Sequence, residues 1–377
     1  MRPTRALAVV FALLAIGLLG LWLWKPGKEA EHPASGPAAN KTLTPAAQPQ
    51  PAADPLAPAF ESFRSKPSEE EARRSLTELR LKLAAMPKDE AVAFIRNFFA
   101  IGTDRATGLE FAIGRDGKMS GWPSFRSFLL DELLAIDPAA AAALSREILA
   151  KPTTADEWAL ALRNVAKGEP KEDRDFLLAK TRELIANPAW QADPSIGYLN
   201  AFDVLVHVQA TEATPLLSTL IQNKDRKDLA HASFLTLDRL VQHQPVEELT
   251  RLSTDRALQQ SRPEMVAQQF ARADLRDPAQ QALVKAWLLD PARSATELHS
   301  FASVYPNNNR FISNNLLTSE SAPSGPELAV HDREALALVS TWAADPAFSP
   351  VKEHLSLMIS RLDGFVGTSK GSTPAPK

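Results

Sequence analysis

The sequence predicts an all-α protein: an N-terminal transmembrane helix, a disordered Pro/Ala-rich linker, and an irregular stack of antiparallel helix pairs that carries one small β-hairpin. Three observations lead there. Residues 6–24 are apolar without interruption, residues 26–59 are dominated by proline and alanine, and the rest of the chain repeats helix-start signals in phase with 3.6-residue apolar spacing.

Arg2 and Arg5 precede the apolar run and Lys25 closes it. At about 1.5 Å per residue these nineteen positions make a helix of roughly 28 Å, close to the ~30 Å hydrocarbon thickness of a bilayer. Trp22, Trp24, Lys25 and Pro26 stand where a signal peptide would carry its small-x-small cleavage site, so residues 1–25 read as a retained signal-anchor. The N-terminal positive charges keep the short end in the cytoplasm. The expectation is a single-pass protein of the inner (cytoplasmic) membrane of a bacterial-type cell, with its C-terminal domain extracytoplasmic, in the periplasm. The chain has no cysteine, which removes both lipoprotein attachment and structural disulfides.

Residues 26–59 read as a disordered Pro/Ala-rich linker: between residues 25 and 59 eight prolines remove backbone donors, and few large apolar side chains are present to build a core. Residues 60–366 read as an α-helical, repeat-like domain, and 367–377 as a disordered tail. Within the domain, Ser68 with Glu71, Thr154 with Glu157 and Ser294 with Glu297 form capping-box patterns ahead of apolar-periodic runs. Asp-Pro steps at Asp137, Asp193, Asp277, Asp290 and Asp345 each supply a cap carboxylate and a proline suited to the first helical position. Trp190, Trp287 and Trp342 each stand three residues before such an aspartate, a spacing that predicts packing across a helix corner. The three copies recur at unequal intervals, so the stack is HEAT-like in architecture without a fixed repeat.

Helices are expected near 68–86, 89–101, 124–136, 138–150, 155–167, 171–186, 195–209, 215–222, 227–243, 246–253, 263–273, 278–289, 295–304, 328–344 and 351–362. One segment breaks the rhythm. Residues 108–113 and 118–122 flank Gly114-Arg115-Asp116-Gly117, which predicts a hairpin that packs Phe111, Ile113 and Trp122 onto the first helices and exposes Arg115, Asp116 and Lys118.

Seven histidines show no metal-ligand spacing, and no nucleophile elbow, Walker loop or dinucleotide fingerprint is present, so no catalytic, cofactor-binding or metal-ligating residue is nominated. The densest titratable run, His331-Asp332-Arg333-Glu334, reads as a solvated helix start. A net charge of −3 with both signs interleaved predicts no nucleic-acid partner. There remains a binding object with a protein partner. The candidate contact residues are Arg115 and Asp116 on the hairpin tip, Arg126 just beyond it, and Asn308, Asn309, Arg310 and Phe311 in an asparagine-rich stretch whose plainer reading is an inter-helix loop with asparagine-closed turns.

The layout of N-terminal anchor, Ala/Pro-rich stretch and all-helical body resembles the lipase-specific foldases. Within residues 117–131, Arg126-Ser-Phe-Leu129-Leu130-Asp131 stands where that family carries Arg-x-x-Phe-Asp-Tyr, although the phenylalanine and tyrosine do not align. The resemblance implies a steric chaperone for an exported enzyme. The leading expectation remains a membrane-tethered scaffold or adaptor that binds another protein. A third expectation is an envelope-polymer hydrolase, which would show two buried carboxylates facing each other across a cleft, one with a raised pKa.

Overall fold

The computed structural model describes residues 57–114, 116–169, 173–308 and 315–369, with side chains to 367. The predicted anchor, and all but the last three residues of the predicted linker, lie outside the described residues. Among the described residues no helix is long and apolar enough to cross a membrane.

The domain is all-α apart from one two-stranded sheet. Helices α1 (Ala57–Ser62), α2 (Glu69–Ala85) and α3 (Lys88–Ile101) lead into strands β1 (Ala112–Ile113) and β2 (Met119–Gly121). Then come α4 (Phe125–Ile136), α5 (Pro138–Leu149), α6 (Ala155–Gly168), α7 (Arg174–Ala186), α8 (Pro188–Ala192), α9 (Ile196–Asn200), α10 (Asp203–His207), α11 (Thr214–Gln222) and α12 (Lys227–His243). The last third holds α13 (Pro245–Thr254), α14 (Arg256–Ser261), α15 (Pro263–Phe270), α16 (Pro278–Leu288), α17 (Ala295–Val304), α18 (Gly325–Ala344) and α19 (Lys352–Ser369).

Packing runs from neighbour to neighbour along the chain, as in a helical repeat: α5 against α6, α11 against α12, and α18 against α19 form pairs, while α4, α6, α9 and α12 pack each on the next. α5 and α6 approach so closely that a methyl group on Gly168 would lie 2.0 Å from the Pro138 carbonyl oxygen. Ion pairs stitch the helices: Arg80 of α2, itself exposed, holds the buried Glu132 of α4, while Arg163 of α6 holds Asp131 of α4 at 2.8 Å and Arg272 after α15 holds Asp238 of α12 inside the fold.

Local signals place most elements. Ser68 and Ser294 form complete capping boxes, and Ser324 with Glu327 adds a third ahead of α18. Thr154 accepts a bond from the Glu157 N–H, but the Glu157 carboxylate turns to Arg126, so only half of that box forms. Asp137, Asp277 and Asp345 cap as expected. Asp193 and Asp290 do not open helices, because Ser195 and Ser294 further on take the cap positions. The tryptophans do pack at corners: Trp342 stacks on Phe348 at 5.2 Å, Trp287 lies between Phe270 and Phe301, and Trp190 meets Trp158 edge-on.

Differences concentrate in short elements. Residues 195–209, expected as one helix, form two five-residue helices interrupted at Ala201 and Phe202 and ended by Gln209 in the left-handed region (φ 51°). α1, α8 and α14 span fewer than two turns and carry no readable periodicity. α1 starts within the stretch assigned to the linker, and α19 runs to Ser369, beyond the expected 362.

Candidate partner-binding surface

The hairpin is shorter than its sequence pattern and irregular, with Ala112 opposite Gly121, Ile113 opposite Met119 and a bulge between. The Gly114 N–H donates to the Lys118 carbonyl at 2.8 Å, and Gly117 closes the turn at φ +72°, a conformation that favours glycine. Beneath it Phe111, Ile113, Met119 and Trp122 are buried, as two strands alone cannot bury a core. Two arginines of α2 clamp the mount. Arg73 donates to the Ser120 carbonyl at 2.7 Å, and the Arg80 guanidinium lies 5.1 Å from the Trp122 ring while the indole N–H donates to Asp131 at 2.9 Å. The tip therefore projects from a fixed base. On it Asp116 accepts from the Lys118 N–H and pairs with the Lys118 ammonium at 3.2 Å, which holds its pKa below the usual carboxylate value.

The chain that leads into α18 from residue 315 lies against this turn. A methyl group on Gly117 would lie 3.6 Å from the Asn315 carbonyl oxygen, so the hairpin turn and the chain entering Leu316 meet. Asn315 and Leu316 are buried, and Asp203 of α10 fixes the next two residues by accepting from the Leu317 N–H at 2.6 Å, the Thr318 N–H at 3.0 Å and the Thr318 hydroxyl. Arg239 of α12 pairs with Asp203 at 2.8 Å and also with Glu320; the three side chains are 6 %, 4 % and 3 % exposed respectively. Burial would raise the Glu320 pKa, but the bonds from His243 and Arg239 outweigh it and hold it low. Lys167, in the last turn of α6, is exposed as a residue but partly enclosed by its neighbours; that desolvation and then the Arg163 guanidinium lower its pKa, against the pull of Asp131, Asp203 and Asp116. The composite surface thus joins Asp116 and Lys118, Lys167, and the chain from Asn315 to Thr318.

Not every nominated residue belongs to it. Arg126 is 12 % exposed; its guanidinium grips Glu157 through two bonds of 2.6 and 3.1 Å and lies 4.4 Å from the Phe99 ring centre, so it is engaged inside the fold. Asn308 donates to Asp332 at 3.5 Å, and the Asn307 N–H donates to the Ala271 carbonyl at 2.9 Å; these asparagines tie distant helices together instead of closing local turns. Arg115, Asn309, Arg310 and Phe311 lie outside the described residues. His331 and Asp332, read from the sequence as a solvated helix start, are buried, with His331 between Asp332 at 3.2 Å and Asp274 at 3.8 Å. No sequence signal places Asp274, fifty-seven residues earlier, beside them.

A polar depression of about 510 Å³ is lined by Arg174, His207, Glu212, Gln244 and Glu247, among others. Both of its carboxylates are held low, Glu212 by the bond from Arg174 and Glu247 by the Thr211 hydroxyl and then Arg251. The raised group is the neighbouring Glu248, which burial pushes up to about 7. It is fully buried against the Thr214 hydroxyl, whose oxygen lies 2.7 and 2.9 Å from the two carboxyl oxygens. The two carboxylates that face the depression therefore do not include the one whose pKa is raised.

With its pKa raised, Glu248 should make stability depend on pH. The unfolded chain releases this proton near 4.5 and the folded chain near 7, so between those values the folded state binds more protons and loses relative stability as pH rises. The shift corresponds to about 3 kcal/mol. Glu248→Gln should remove that part of the decline, so its urea-unfolding free energy should overtake the parent's between pH 5 and pH 8. Parallel profiles for the two proteins would show that Glu248 ionises normally.

Among the described residues no three His, Asp or Glu side chains are placed to hold a metal ion. Compared with known proteins, the chain matches no family model, no curated protein and no solved structure.

Proposed function

We propose that the chain is a membrane-tethered, extracytoplasmic α-helical scaffold that binds another protein through the surface where the hairpin tip meets residues 315–318. The observation that carries this reading is the meeting itself. Among the described residues there is one hairpin, and Asn315, on the chain that leads into α18, lies against its turn. Residues 317–320 are pinned there by the buried charges of Asp203 and Arg239, which preorganises them for contact. The anchor and tether enter through composition: an apolar run of bilayer length followed by a proline-rich stretch holds a domain close to a membrane while letting it search.

The test places a photo-crosslinking amino acid at Asp116 of the full chain in cells, and at Glu353 of α19 as a control. An adduct to a second protein from position 116 and none from 353 is expected. Equal adducts from both positions, or none from 116, would sink the surface assignment. Recovery of the chain in the carbonate-soluble fraction would separately overturn the tether.

A further inference from the structure

A second cleft of about 590 Å³ lies at the start of α18, lined by Ala322, Pro323, Pro326 and Val330 and flanked by Arg276 and Glu327. Val330 is 40 % exposed, one of the few large apolar side chains left open among the described residues. We propose that this cleft is the docking site of the chain's own residues 370–377, with Pro374, Ala375 and Pro376 lying on Pro323, Pro326 and Val330. The inference is independent of the partner-binding reading.

The geometry of the last helix pair points there. α18 and α19 pack along each other and are joined by the six-residue turn Pro346–Val351, where Trp342 stacks on Phe348, so they run antiparallel. α18 has 20 residues and α19 has 18, which makes them about 30 and 27 Å long, and the end of α19 therefore returns to the level of the first turn of α18. Further along, Arg361 donates to the Tyr305 carbonyl at 3.0 Å, consistent with α19 passing beside the start of the 305–324 connection. Residues 370–373 can span about 13 Å when extended, enough to bring Pro374 from the end of α19 to the cleft.

Chemistry agrees with reach. Proline and alanine present small apolar surfaces, lose little side-chain entropy on docking, and match a cleft walled by proline, alanine and valine. Arg276 is already paired with Asp274 at 2.6 Å and Glu334 at 3.5 Å, and with Glu327 these carboxylates outnumber Arg276 and Arg333, while the segment brings Lys370 and Lys377. A short linker gives an effective concentration on the order of millimolar, so even a weak cleft fills.

Hydrogen exchange of residues 320–332 tests this, measured on the full chain in mild detergent, on a chain stopped after Ser369, and on full-length Pro374→Ser/Pro376→Ser. Both changes should speed exchange in this stretch about two- to tenfold, and a synthetic peptide of residues 370–377 at millimolar concentration should restore protection to the shortened chain. The double serine variant separates docking from any fraying of α19, since its changes lie five or more residues past the helix. Identical exchange in all three proteins overturns the proposal. So does protection in the shortened chain that grows with protein concentration, which would assign the cleft to a second copy.

Discussion

Replacing Arg239 by alanine should lower the unfolding free energy by about 4 kcal/mol, because it leaves two carboxylates, Asp203 and Glu320, buried without their cation. Removing one member of a buried pair costs more than the pair contributes, and here one cation serves two anions. Asp203 keeps the bonds from the Leu317 and Thr318 N–H groups, but Glu320 keeps, among the described residues, only His243 at 3.9 Å and must take up a proton or leave the interior. The damage should begin at residues 315–320, so exchange there rises first and the urea midpoint falls with it. A triple variant, Asp203→Asn with Arg239→Met and Glu320→Gln, removes all three charges and should recover most of the loss. If Arg239→Ala alone changed stability by less than about 1 kcal/mol, the pinning of this segment, and with it the preorganised surface, would be wrong.

Legibility in the sequence declines with the distance between partners along the chain. Ser68 with Glu71, Ser294 with Glu297 and the aspartates at 137, 277 and 345 act on backbone two or three positions away, so residue type and order suffice to place them. The hairpin turn is legible for the same reason, since Asp116 accepts from the N–H two positions on and Gly117 supplies the positive φ. Arg126 looks like a surface residue in the sequence because its partner Glu157 stands on another helix, thirty-one positions later, and that same pairing leaves the Thr154 capping box half formed. Asp203 gives no hint of its role, because the N–H groups it accepts from are 114 and 115 positions away, in a stretch with no helical pattern. The convergence of tip and connection is a property of how the helices between them stack, and pairwise packing of many helices leaves no local trace in residue order.

Trp287→Ala should cost about 3–5 kcal/mol and bear on the question whether the helix-corner tryptophans hold the stack together. The indole of Trp287 stacks on Phe270 of α15 at 5.0 Å and lies 5.3 Å from Phe301 of α17, so one side chain of α16 joins three helices. Phe301 continues the run onto Tyr305 at 5.6 Å, the residue from which the 305–324 connection departs. The Arg293 guanidinium, 5.8 Å from the indole, adds a cation–π contact that alanine would also remove. A cavity of that size cannot close by small shifts when both neighbours are themselves stacked aromatics. Among the described residues the indole N–H has no hydrogen-bond acceptor, so shape and apolar area account for its role and Trp287→Phe should retain most of the stability. Denaturant unfolding of the two variants separates these contributions: a loss for phenylalanine as large as for alanine would mean that the N–H carries an interaction, and a negligible loss for both would mean that the corner is not where α15, α16 and α17 are fastened.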